Sequence, residues 1–128
     1  MESFIEFITA EGGMGAFVFA LSCAVILDYF TGLAKAWHMH TLKSSVAKEG
    51  LIKKFALFAV VAACGLVDLI LPVETGYGIC KLAALSFTIS EVVSVAENAA
   101  AVGVPLPEAL TKRLAQLTDS EDDDTRVS

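Results

Sequence analysis

Basic residues are scarce in this 128-residue chain: nine Lys and Arg stand against fifteen Asp and Glu, a formal net charge of −6. No basic surface large enough to neutralise phosphates can be built from them, which excludes nucleic acid as a partner. Charge of either sign is thin, at 19% of residues against 55% hydrophobic, and mean hydropathy is +0.67. A chain this apolar collapses or inserts, so disorder over most of its length is excluded. The three cysteines, Cys23, Cys64 and Cys80, are widely spaced in apolar stretches and read as small hydrophobes, with neither a disulfide framework nor a zinc site. Residues 1–11 hold Glu2, Glu6 and Glu11 and no Lys or Arg, so no cleavable signal peptide is expected. Repeats, glycine-rich phosphate loops and a Ser-His-Asp grouping on a nucleophile turn are all missing, so no catalysis and no cofactor is expected. His38 and His40 have no third ligand nearby and read, with Trp37, as a membrane-interface cluster rather than a metal site.

What is present is apolar segments, each interrupted by an acid. The first covers about 12–34 and contains Asp28; the second, 55–73, contains Asp68; the third, 76–96, carries Lys81 and Glu91. Each approaches the roughly 20 residues needed to cross about 30 Å of hydrocarbon. The expected fold is all-α: an integral membrane protein with three transmembrane helices. A soluble helical bundle with three buried acids is the alternative. Between Lys35 and Lys54 five lysines face only Glu49, and Lys112, Arg113 and Arg126 follow the third segment. The positive-inside rule therefore predicts an acidic, extracytoplasmic N-terminus over 1–11, an outer turn at Glu74-Thr75 and a cytoplasmic C-terminus. Lys81, near the outer end, can snorkel to the headgroups. Beyond Pro105 and Pro107, Leu106, Leu110, Leu114 and Leu117 mark a short amphipathic cytoplasmic helix over 105–118, followed by a disordered acidic tail over 119–128.

Ionisable groups inside a span cost about 2.5–3.5 kcal/mol each on translocon scales, so these acids are expected at a protein interface or a water-filled path. Two further patterns accompany them. Ala16, Ala20, Ala24, Asp28 and Gly32 recur every four residues, a small-residue row suited to close helix association in lipid. On the third span Ser86, Ser90, Glu91, Ser94, Glu97 and Asn98 share an arc of roughly 140° at about 100° per residue. With Asp68 they are the candidates for lining a pore or for hydrogen-bonding to neighbouring helices.

The order of these features resembles the toxin secretion/phage lysis holin family. Asp28-Tyr29-x-Thr31-Gly32 ends the first span, and Glu91-x-x-Ser94-x-x-Glu97-Asn98 precedes Gly103-x-Pro105-x-Pro107. The resemblance implies a homo-oligomer in the lipid bilayer of the bacterial cytoplasmic membrane. It also implies lesions that release an endolysin, a functional rather than physical partner, or a secreted toxin, and an antiholin as a possible partner. The basic tail of many small holins is replaced here by Glu121-Asp122-Asp123-Asp124. An antiholin or accessory membrane subunit, and a small ion or proton transporter that uses the acids as a relay, are the competing classes. The charge asymmetry predicts that a reporter fused after Ser128 is active only in its cytoplasmic form; periplasmic activity would refute the N-out, C-in orientation.

Overall fold

A computed structural model describes residues 1–9, 13–71 and 78–126. Glu11, Gly12 and the expected Glu74-Thr75 turn lie outside the described residues, as do the side chains of Leu117 and of the Glu121–Asp124 cluster. The chain forms five helices among the described residues: α1 (Glu2–Thr9), α2 (Met14–His38), α3 (Ser44–Ile70), α4 (Ile79–Ala101) and α5 (Glu108–Arg126). The three long ones, α2, α3 and α4, are each long and apolar enough to cross a membrane. At 1.5 Å per residue they are about 35–40 Å long. The fold is all-α, as the segment pattern predicts, and the protein is a multi-pass membrane protein.

Two boundaries differ from the sequence reading. The helix that carries the second apolar run begins at Ser44, ahead of the run's start at 55, because the lysine-rich stretch before Phe55 contains no Pro and carries helix formers such as Ala47, Lys48 and Glu49. The short helix expected over 105–118 starts at Glu108 and continues to Arg126, so the backbone of the acidic tail is helical rather than disordered to that point. Neither Gly nor Pro interrupts 108–126, Glu108 sits in the first turn, and Lys112 pairs with Glu108 at 2.9 Å.

The helix ends follow local chemistry. After α4, Gly103 takes a left-handed conformation (φ 93°), its N–H bonds to the Ala100 carbonyl and that of Val104 to the Ala99 carbonyl. This Schellman closure, with Pro105 just beyond it, stops the helix. After α2 the same closure is made with His40 at the left-handed position (φ 54°), from the His40 and Thr41 N–H groups to the Trp37 and Ala36 carbonyls.

Packing centres on α4, which lies against both α2 and α3, while α2 and α3 touch each other little. The buried core is small: Leu21, Val25, Val61, Cys80 and Ala84, flanked by Met14, Phe17, Leu57, Phe58 and Phe87. Large apolar side chains point outward instead, among them Phe19, Phe30, Phe55, Leu69 and Ile70. Such an exterior suits lipid, and hydroxyls in the spans close onto their own helix: Ser22 onto Val18, Thr31 onto Leu27 and Thr88 onto Ala84, at 2.7–2.8 Å.

Asp68 lies near the end of α3, where its carboxylate accepts hydrogen bonds from the Ile79 and Cys80 N–H groups at 2.9 and 2.8 Å. These amides open α4 and have no partner within it, so Asp68 acts as a cap supplied by the neighbouring helix. A methyl group on Gly78 would collide with that carboxylate. Asp68→Ala should destabilise the α3–α4 pair by about 1 kcal/mol, with Asp68→Asn costing less because its amide oxygen still accepts. Detergent unfolding followed by circular dichroism measures the difference; equal stability of all three proteins would rule out the cap.

Candidate functional site

The helical register of α3 brings an unexpected residue inward. Ala47, Gly50, Lys54, Leu57, Val61, Cys64 and Asp68 repeat at alternating intervals of three and four, and all are buried or half-buried. That is the seam of a helix packed against a neighbour. Lys53, one residue earlier, is off the seam and pairs on the surface with Glu49 at 2.9 Å.

Lys54 meets two carboxylates. Its ammonium donates to Asp28 Oδ2 of α2 at 2.6 Å and to Glu91 Oε2 of α4. The three side chains are only 17%, 14% and 10% exposed, in the order Lys54, Asp28, Glu91. The second Asp28 oxygen accepts from the Asn98 amide at 3.1 Å, and the same amide donates to Thr31 Oγ1 at 3.2 Å. Asp28 lies ten residues before the end of α2, Lys54 ten after the start of α3 and Glu91 ten before the end of α4. The charges therefore form one layer, about 15 Å from the ends of the helices at the α2–α3 loop. No buried side-chain polar atom among the described residues is left without a partner. In lipid this is the condition under which charged groups can be tolerated inside a bundle.

The two sequence blocks meet at this layer. Asp28, Thr31 and Gly32 face Glu91 and Asn98, and a Cβ on Gly32 would lie 3.6 Å from Asn98 Nδ2. Tyr29 lines a cleft beside the cluster. The rest of the polar arc on α4 divides. Glu91 is buried and Ser94 and Asn98 half-buried, whereas Ser86, Ser90 and Glu97 are exposed on the outer side. The small-residue row divides too: Ala24 is buried, Asp28 and Gly32 turn toward α4, and Ala16 and Ala20 border a shallow external groove with Leu85 and Thr88. Much of the row therefore serves packing within one chain. Asp68 stands apart from the charged layer, at the opposite end of α3. Gly103, Pro105 and Pro107 terminate α4 and launch α5 without touching the layer. Trp37 and His38 in the last turn of α2, and His40 just after it, are exposed. Lys54 escapes a reading based on charge because it neighbours Lys53 and belongs to a basic stretch; only the three-four seam singles it out.

The model for the bacteriophage holin family matches residues 6–119. The chain belongs to the bacteriophage holin family. Curated holin relatives include a probable holin of Bacillus phage phi105, 34% identical over 101 residues that cover 78% of this chain and 73% of that protein. An uncharacterized 14.9 kDa protein in the nagH 3' region of Clostridium perfringens is 33% identical over 97 residues, covering 76% and 73% of the two chains. The uncharacterized protein YqxH of Bacillus subtilis is 31% identical over 98 residues, covering 76% and 68%. No solved structure matches this chain.

The layer makes a quantitative prediction. Lys54→Met leaves two buried carboxylates facing each other and should destabilise the bundle by about 3–5 kcal/mol. Combining it with Asp28→Asn and Glu91→Gln should cost far less. A double-mutant cycle between Lys54→Met and Glu91→Gln, read by unfolding in mixed micelles, measures the coupling; a value within about 0.5 kcal/mol of zero would mean the pair does not hold the helices.

Proposed function

We propose that this holin accumulates in the bacterial cytoplasmic membrane, N-terminus out and C-terminus in, and assembles there into lesions that release an endolysin. The observation that carries the reading is the charged layer held inside a bundle with so little buried core. A chain whose exterior is largely apolar and whose charged layer is turned inward is stable as a single unit in lipid. Exchange of helix contacts between copies would turn the same polar layer toward water and so line a hole. Family membership and the phage relative support the lytic role.

The layer also gives the assembly a handle on the membrane potential. Two carboxylates share one ammonium, so the fully ionised cluster carries a net negative charge. Moving one charge across the field is worth about 2.3 kcal/mol per 100 mV, sufficient to bias a balanced closed-to-open equilibrium. Small-residue and serine positions left on the outside, Ala16, Ala20, Ser86 and Ser90, offer surfaces for lateral association.

Inducible expression in a bacterial host, with membrane potential and culture density recorded together, tests this. Potential should hold until a threshold abundance and then collapse with lysis. A steady ion leak at low abundance, without a threshold, would instead indicate a transporter. At matched membrane abundance Glu91→Gln should shift the lysis time, since it alters the charged layer, whereas Asp68→Asn should leave it near the parental value. Parental timing and dye entry for Glu91→Gln would show that the layer is structural only.

A further inference from the structure

The α2–α3 side of the bundle is open where the other two helix pairs are closed. From the charged layer to the loop, the two helices leave a cleft of about 190 Å³ walled chiefly by Gly32, Ala36, Leu42, Val46, Ala47 and Gly50. A Cβ built on Gly50 meets nothing within 4 Å, so the cleft is empty space rather than a tight contact between small residues. An α-helix with its side chains is about 10–12 Å across. Even two turns of such a helix occupy several times the free volume of about 190 Å³, which disfavours both the leucine stripe of α5 and a helix from a second copy as the occupant. A single hydrocarbon chain fits it.

Charge at the loop end of the two helices that wall the cleft selects among lipids. Lys35 lies in the last turn of α2, and Lys43 directly precedes α3 next to the lining residue Leu42. Neither makes an ion pair among the described residues, in contrast to Lys53 and Lys54, which are engaged with Glu49 and with the buried layer. Two available cations stand where the helices leave the hydrocarbon, with the exposed Trp37 beside them. Basic side chains at that depth attract anionic headgroups, and tryptophan favours the same level.

We propose that this cleft is a binding site for one anionic phospholipid, with an acyl chain between α2 and α3 and the phosphate between Lys35 and Lys43. The lipid completes the wall that α4 does not reach. It also shields the flank of the Asp28–Lys54 pair, both members of which border the deep end of the cleft.

The test uses the purified full chain in mixed micelles that contain equal amounts of phosphatidylglycerol and phosphatidylcholine, with retained lipid counted by native mass spectrometry. The parental protein should retain phosphatidylglycerol about thirtyfold over phosphatidylcholine, the scale expected of two surface lysines. Lys35→Gln with Lys43→Gln should bring the ratio close to parity. Lys48→Gln removes the same charge from the far side of α3 and should leave the ratio unchanged. Gly50→Leu should reduce retention of both lipids by filling the cleft, and the two-lysine variant decides the matter if Gly50→Leu fails to fold. Equal retention of the two lipids by the parental protein would overturn the proposal, as would a loss with Lys48→Gln as large as that with the pair. Efficient crosslinking between copies through Gly50→Cys, with Cys23, Cys64 and Cys80 replaced by Ala, would place protein in the cleft and overturn it as well.

Discussion

An ammonium cannot remain in hydrocarbon alone, and neither can a carboxylate; this requirement organises the whole bundle. Lys54 satisfies it by drawing Asp28 and Glu91 from two other helices to one point, and Asn98 and Thr31 complete the set of hydrogen bonds. The apolar core does not explain why these helices associate, since among the described residues Leu21 is its only large side chain that is fully buried. In lipid there is no water to exclude from between helices, and packing plus polar contacts must hold them. Here the polar contacts also set the register. A shift of one turn in any helix would move its charge out of the layer by about 5.4 Å and leave the others unsatisfied.

Different physical signals made different parts of this arrangement legible. The three spans could be read from hydropathy because a bilayer imposes one length on anything that crosses it. Asp28, Glu91 and Asn98 could be singled out because a charged or amide group in an apolar run is costly. Their partner could not be found by the same rule. Lys54 sits at the edge of its apolar run beside another lysine, so composition assigns both to the loop, and only the three-four spacing from Gly50 to Asp68 separates them. Asp68 shows the converse problem. It looks like an intramembrane acid in the sequence, but its role depends on where α4 begins, and the chain between the two helices gives no hint that the Ile79 and Cys80 amides come back to it.

The polar arc of α4 and the small-residue row of α2 were each legible as a pattern, but their subdivision was not. Helical periodicity identifies residues that share a face; it does not say how far around the helix a neighbour reaches. Since α4 is flanked by two helices, Glu91, Ser94 and Asn98 turn inward, while Ser86, Ser90 and Glu97 remain outside although they lie on the same arc. Ala24 is likewise consumed by contact with α4, which leaves Ala16 and Ala20 at the edge. The extension of α5 through the acidic tail has a simpler origin: high charge argues for solvation, but it does not forbid a helix where no Gly or Pro intervenes.

The placement of the three charges along the chain bears on how the protein is made. Synthesis runs from the N-terminus, so α2 and α3 reach the membrane while α4 is still on the ribosome. In the finished bundle Asp28 and Lys54 lie 2.6 Å apart, so an α2–α3 hairpin that adopts this geometry before α4 arrives carries no net charge at that level. Glu91 arrives last and brings the surplus negative charge with it, docking onto an ammonium that is already engaged. Its helix thus enters against a lock half closed, and the step that completes the bundle is also the step that gives its charged layer one more carboxylate than ammonium.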